Sequence, residues 1–171
     1  GAIEWSYDLL DDNDKTLFRR LAVFAGGFRF DAVEAIVNIP NQPPLNVLDG
    51  ITSFLDKSLI SSKEQPDGEL RFQMLEVVSE YAIEVLQTTG EFETIKKNYA
   101  EFFLEFGEKN EPLLFTGESG NALNELEAEN DNLRNALRYF FVNDREKAIR
   151  LTSAIRNFWI FHGHITEGCR W

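Results

Sequence analysis

The stretch Leu70-Arg71-Phe72-Gln73-Met74-Leu75-Glu76-Val77-Val78-Ser79-Glu80-Tyr81-Ala82 decides the fold. Leu70, Phe72 and Met74 alternate with Arg71 and Gln73, the period of a half-buried strand. From Leu75 the spacing changes. Val78, Tyr81, Ala82 and Val85 recur at three and four, which is one face of a helix. A strand therefore runs straight into a helix. Just upstream, Leu59-Ile60-Ser61-Ser62-Lys63 reads as the partner strand. Gln65-Pro66-Asp67-Gly68 is the turn between them, with Pro fixing φ and Gly supplying φ > 0.

Before this hairpin the pattern is helical. Ile3 to Leu10 is short and amphipathic, and is expected to be the end of something longer. Asp11-Asp12-Asn13-Asp14 offers N-caps and first-turn acids. Leu17, Phe18, Leu21, Ala22 and Phe24 follow at helical spacing, with Lys15, Arg19 and Arg20 on the opposite face. Gly26-Gly27 is expected to end that helix. Asp31 is expected to cap a second helix through Val37. Pro40 to Pro44 forces a loop. A third helix is expected from about Leu45 to Lys57, with Val47, Leu48, Ile51, Phe54 and Leu55 as its apolar face. Three helices and a two-stranded wing is the order of a winged helix-turn-helix domain, placed at residues 1–90.

After Gly90 the chain reads as paired helices. Phe92 to Phe106 marks one, and Pro112 to Gly120 a loop. Leu123, Leu126, Leu133, Leu137, Phe140 and Phe141 mark a second helix, within which Asp131-Asn132 reads as a local restart or an inter-helix hydrogen bond. Ala148 to Phe161 marks a third, and Ile165 to Trp171 starts a fourth. The expectation for residues 91–171 is a mainly α region of antiparallel helical hairpins. It would be an α-solenoid of tetratricopeptide type, truncated at its C-terminus with an apolar edge uncovered.

Bulk properties bound the function. The 171 residues hold one cysteine, so no disulfide can form within the chain, which fits a reducing cytoplasm. No apolar run approaches the roughly 20 residues of a membrane span. Fifteen Phe and three Trp imply a well-filled core. The formal net charge is −12, whereas nucleic-acid binding draws most of its affinity from positive charge. The polar residues of the third helix are Asn46, Asp49, Thr52, Ser53, Asp56 and Lys57, a poor major-groove reader. Lys63 and Arg71 of the wing are accompanied by Glu64, Asp67 and Glu69.

No G-x-x-x-x-G-K-[ST] occurs, and Gly117-Glu118-Ser119-Gly120 lacks both the spacing and the lysine. The chain is therefore expected to be neither an ATPase nor another enzyme, and to hold no cofactor. His162-x-His164 with Cys169 lacks the i, i+4 placement of metal ligands on one helical face, so no metal is expected. The acidic run Glu125, Glu127, Glu129 and Asp131 reads as a solvated face. Phe158, Trp159, Phe161 and Trp171 read mostly as core by their spacing. The functional alternative makes them an interaction surface.

Five blocks occur together in one order: Trp5-Ser6-Tyr7-Asp8-Leu9-Leu10, Leu17 through Phe28, Leu55-Asp56-Lys57-Ser58-Leu59, Phe72-Gln73-Met74-Leu75-Glu76, and Leu126 through Leu137. Together they resemble the bacterial signal-transduction ATPases with numerous domains (the STAND class, related to NB-ARC proteins), many of them LuxR-type or similar transcriptional regulators. The resemblance covers the part after the ATPase core. It implies that the winged helix packs on an upstream nucleotide-binding domain that holds ADP or ATP, and that the helical repeats meet a protein or small-molecule effector. It also implies a Met-His-Asp motif at the end of the wing, which falls here on Met74-Leu75-Glu76. Leu75 replaces the histidine, and leucine has no donor for a phosphate. The expected function is a non-catalytic, cytoplasmic regulatory fragment that relays nucleotide state through protein contacts. The alternative is a DNA-binding winged-helix regulator with a helical dimerisation or effector domain.

Overall fold

The computed structural model describes residues 1–163. The chain forms two compact units, Gly1–Asn98 and a second that begins at Tyr99. The expected boundary at residue 90 lies at the Gly90 turn (φ 74°), just before the helix in which this division falls.

The first unit opens with α1 (Ala2–Asp8) and α2 (Asp12–Leu21). The Asp11 carboxylate accepts the Asp14 N–H at 2.8 Å and caps α2. Strand β1 (Phe28–Arg29), α3 (Phe30–Val37), α4 (Val47–Asp56), β2 (Ile60–Glu64), β3 (Leu70–Met74) and α5 (Glu76–Thr88) follow. Asn46 caps α4 by accepting the Asp49 N–H at 3.2 Å. The core gathers Leu17, Phe18, Phe54 and Ile51, with Phe18 and Phe54 edge to face at 5.9 Å.

The wing hairpin holds the expected register, pairing Ile60 with Met74 and Ser62 with Phe72. Its outer end differs from the alternation. Phe72 and Met74 are buried, but Leu70 is 48% exposed because β3 extends past the core toward the wing tip. The sheet also has a third strand, in the order β1-β3-β2. Two residues are too few to show a period of two, so β1 left no sequence pattern.

Gly26-Gly27 makes that strand possible and does not cap α2, which ends at Leu21. Both glycines have positive φ, 73° and 105°. A Cβ on Gly27 would lie 2.8 Å from the Phe72 carbonyl oxygen, so only glycine lets the chain come alongside β3 here. Asp31 is likewise not the α3 cap. Arg29 holds that position, and the Asp31 carboxylate accepts the Ala32 N–H from within the first turn.

Helix α6 (Phe92–Asn110) contributes to both units. A 3-10 turn (Pro112–Phe115) follows, then α7 (Ser119–Ala128), α8 (Asn130–Asn143) and α9 (Arg145–Phe161). The single helix expected across Leu123–Phe141 is thus broken at Glu129. Within the second unit α6 meets α9 at Gly107, where a Cβ would lie 3.0 Å from Leu151 Cδ1. The ion pairs Glu101–Lys147 (2.7 Å) and Glu108–Arg150 (2.8 Å) join the same two helices.

Candidate functional site

Helix α4 occupies the position of a recognition helix, the element that enters the major groove when a helix-turn-helix domain binds DNA. It is anchored by Val47, Gly50, Ile51 and Phe54, all buried. A Cβ on Gly50 would collide with Leu17 Cδ2, so glycine lets α4 lie close on α2. This anchoring turns Leu48, Asp49, Thr52 and Asp56 to solvent. The Asp49 carboxylate also receives the Asn46 amide at 2.6 Å, and Lys57 is drawn along the helix to Ser53 Oγ at 2.6 Å. Asp11 and Asp14 border the same surface. At the wing, Arg29 lies 3.5 Å from Asp67, while Glu64 and Glu69 are exposed. A phosphate backbone approaching α4 would meet carboxylates first, the reverse of what drives nucleic-acid affinity.

The trio Met74-Leu75-Glu76 forms the junction of β3 and α5. Met74 is buried, Leu75 is the α5 N-cap residue and 56% exposed, and Glu76 is exposed. A groove of about 460 Å³ opens beside it, lined by Gly26, Gly27, Met74, Glu76, Ser79 and Glu80. Glu76 and Glu80 are one turn apart on α5 and place two carboxylates there.

A buried polar cluster of the first unit departs from the helical-face pattern of the sequence. Arg20, assigned to the solvent face of its helix, is 1% exposed. Its guanidinium donates to the Val37 carbonyl oxygen (2.7 Å), to Gln42 Oε1 (2.6 Å) and to the Glu91 carboxylate (2.5 Å). Arg19 adds a second contact to Glu91 at 3.2 Å. Burial alone would raise the Glu91 pKa. The hydrogen bonds and charges of Arg20 and Arg19 outweigh it and hold the carboxyl below its ordinary range. Four separated segments are tied through this one side chain. The signal that could have found it is position: Arg20 lies between buried Leu17 and Leu21 on a strongly amphipathic helix.

In the second unit Phe158 and Trp159 are fully buried, which corrects the surface reading for those two. Their spacing faces them into the helical core, where the Trp159 indole N–H donates to Asn130 Oδ1 at 3.2 Å. Phe161 is 53% exposed and meets Phe115 edge to face at 6.1 Å. Trp171, His164 and Cys169 lie outside the described residues. His162 faces Glu127 at 3.3 Å. Among the described residues no group of three or more His, Cys, Asp or Glu could hold a metal, and no helix is long and apolar enough to cross a membrane.

The acidic run is only partly solvated. Glu129 is 3% exposed, because the break between α7 and α8 turns it inward to accept the Asn132 amide at 2.6 Å. Asn132 Oδ1 in turn accepts the Tyr99 hydroxyl at 2.8 Å. Both readings of Asp131-Asn132 therefore hold, as restart and as inter-helix hydrogen bond. Asp131 pairs with Arg134 at 3.1 Å on the surface.

The three-helix core, the three-stranded sheet and the wing together make the first unit a winged helix-turn-helix domain, and residues 10–87 match the family model of that description. Along its full length the chain is similar to "Putative HTH-type transcriptional regulator Rv0890c" of Mycobacterium tuberculosis (strain ATCC 25618 / H37Rv). The identity is 33% over 172 residues, covering 100% of this chain and 19% of that protein. The same figures hold for "Putative HTH-type transcriptional regulator Mb0914c" of Mycobacterium bovis (strain ATCC BAA-935 / AF2122/97). "Uncharacterized protein Rv0894" of M. tuberculosis is 32% identical over 100 residues, covering 58% of this chain and 25% of that protein. The chain thus spans about a fifth of the length of the first of these relatives. No solved structure matches it significantly.

Proposed function

We propose that this chain is a regulatory segment of a larger transcriptional regulator, and that its winged helix acts through protein contacts. The observation that carries this reading is the outward face of α4. Leu48, Asp49, Thr52 and Asp56 stand there beside Asp11 and Asp14, with no exposed arginine on the helix. The domain class and the printed names of the relatives support the transcriptional role. The further idea, that the domain relays the state of an upstream ATPase, rests on the sequence resemblance. Leu75 would then leave the closed state to be held by packing.

The domain class also favours a second reading, in which α4 and the wing contact DNA directly. A titration of the chain with duplex DNA at several salt concentrations separates the two. The expected result is no binding in the submicromolar range near physiological salt. Tight binding that weakens steeply with added salt would establish the DNA-contacting reading instead, because released counterions produce that dependence.

A further inference from the structure

The outer faces of two helices carry complementary chemistry. The turn between α1 and α2 and the flank of α4 border a groove of about 590 Å³, lined among others by Leu9, Asp11, Asp14 and Asp49. Leu9 in its lining is 60% exposed, and on α4 the neighbour of Asp49, Leu48, is 64% exposed. Its cation, Lys57, is turned to Ser53. On α9 the solvent side repeats at helical spacing as Arg145, Ile149, Arg156 and Ile160, all exposed. Arg145 and Arg156 make no ion pair with any described residue, whereas Lys147 and Arg150 are held by Glu101 and Glu108. In a chain of net charge −12, this is a basic and apolar stripe. From Ile149 to Ile160 it spans about 16 Å, and the ten residues of α4 span about 15 Å.

We infer that the chain self-associates, with α9 of one copy lying along the α1–α4 groove of a second copy. Ile149 and Ile160 cover Leu9 and Leu48, removing apolar surface from water. Arg156 meets Asp49 and Arg145 meets Asp11, and that charge pairing sets the register and makes the contact salt-sensitive. Two acidic molecules would otherwise repel.

Sedimentation equilibrium of the whole chain over a range of concentrations and salt tests the contact. The expected result is a mass above the monomer that falls toward it as salt rises. Asp49→Arg and Arg156→Asp are each expected to weaken association about tenfold or more. The double variant carrying both swaps is expected to recover most of it, which a folding defect could not do. Ile149→Ser is expected to weaken association at every salt concentration. Glu69→Arg on the wing is the control and leaves it unchanged. A monomer at all concentrations, or single swaps that associate like the parent without recovery in the double, would overturn the inference. Either result leaves the transcription-regulator reading standing, and the choice between protein and DNA contacts at α4 is decided separately by the DNA titration.

Discussion

The first unit buries a guanidinium and answers it with a carboxylate and two neutral oxygens, at Arg20, Glu91, Val37 and Gln42. The second unit buries amides, a phenol and one carboxylate, linked as Tyr99–Asn132–Glu129, with Trp159 on Asn130 nearby. Each cluster ties segments that are distant in sequence. They differ in what happens when a member is lost. A charge left without its partner in a low-dielectric site costs far more than a neutral group left with one bond fewer. The charged hub should therefore be the more brittle of the two, and it carries an acid sensitivity through Glu91.

The largest effect is expected at the charged hub. Arg20→Ala leaves Glu91 with only the 3.2 Å contact to Arg19 and the Val37 carbonyl oxygen without its guanidinium donor, and should cost about 4 kcal/mol. Urea denaturation measures the loss, and amide exchange should show protection failing first in residues 12–88. A loss below about 1 kcal/mol would place the hub among weak surface pairs and erase the contrast. Asn132→Leu removes the acceptor of the Tyr99 hydroxyl and the donor to Glu129, at an expected cost of about 2 kcal/mol. If it proves costlier than Arg20→Ala, the second unit depends on its network more than the first does.

Glu91 sharpens the comparison through pH. Its folded pKa lies below the ordinary 4.5, so the unfolded chain takes up its proton first as pH falls. Its contribution is complete above about pH 4.5 and is lost as pH drops through the lower folded value. Glu91→Gln should flatten that part of the stability–pH curve. An unchanged slope would mean that other carboxylates carry the acid response. The smallest effects are expected at the caps. Asp11→Ala in the first unit and Asp144→Ala in the second each remove a bond to a helix N-terminal N–H, to Asp14 and Lys147 respectively. Each should cost about 1 kcal/mol by thermal or urea denaturation, with no difference between the units.

The elements that could be read in advance were those whose own residues repeat. The β3–α5 junction was legible because the period changes within one continuous stretch at Leu75, and β3 and α5 meet there with a single residue between them. The α4 apolar face was visible in Val47, Ile51 and Phe54. The acidity of its outward face was visible too, and that is most of the candidate site. Leu48 follows the apolar spacing of α4, but it falls just outside the contact with α2 and stands in water.

What the amino-acid sequence determined by itself was local: where helices start, where the wing turns, which positions are apolar, and the excess of carboxylates. Periodicity and caps act over a few residues, so a short window carries them. Only the tertiary structure decided that Arg20 belongs inside, because its three acceptors come from positions 37, 42 and 91. It alone decided that Gly26-Gly27 feeds a third strand instead of ending a helix, because the contact that demands glycine is with Phe72, far along the chain. The inward turn of Glu129 likewise depends on where α7 stops and α8 begins, and on the amide of Asn132 that receives it. A residue's burial and partners are properties of the packed whole, and no short window of sequence contains them.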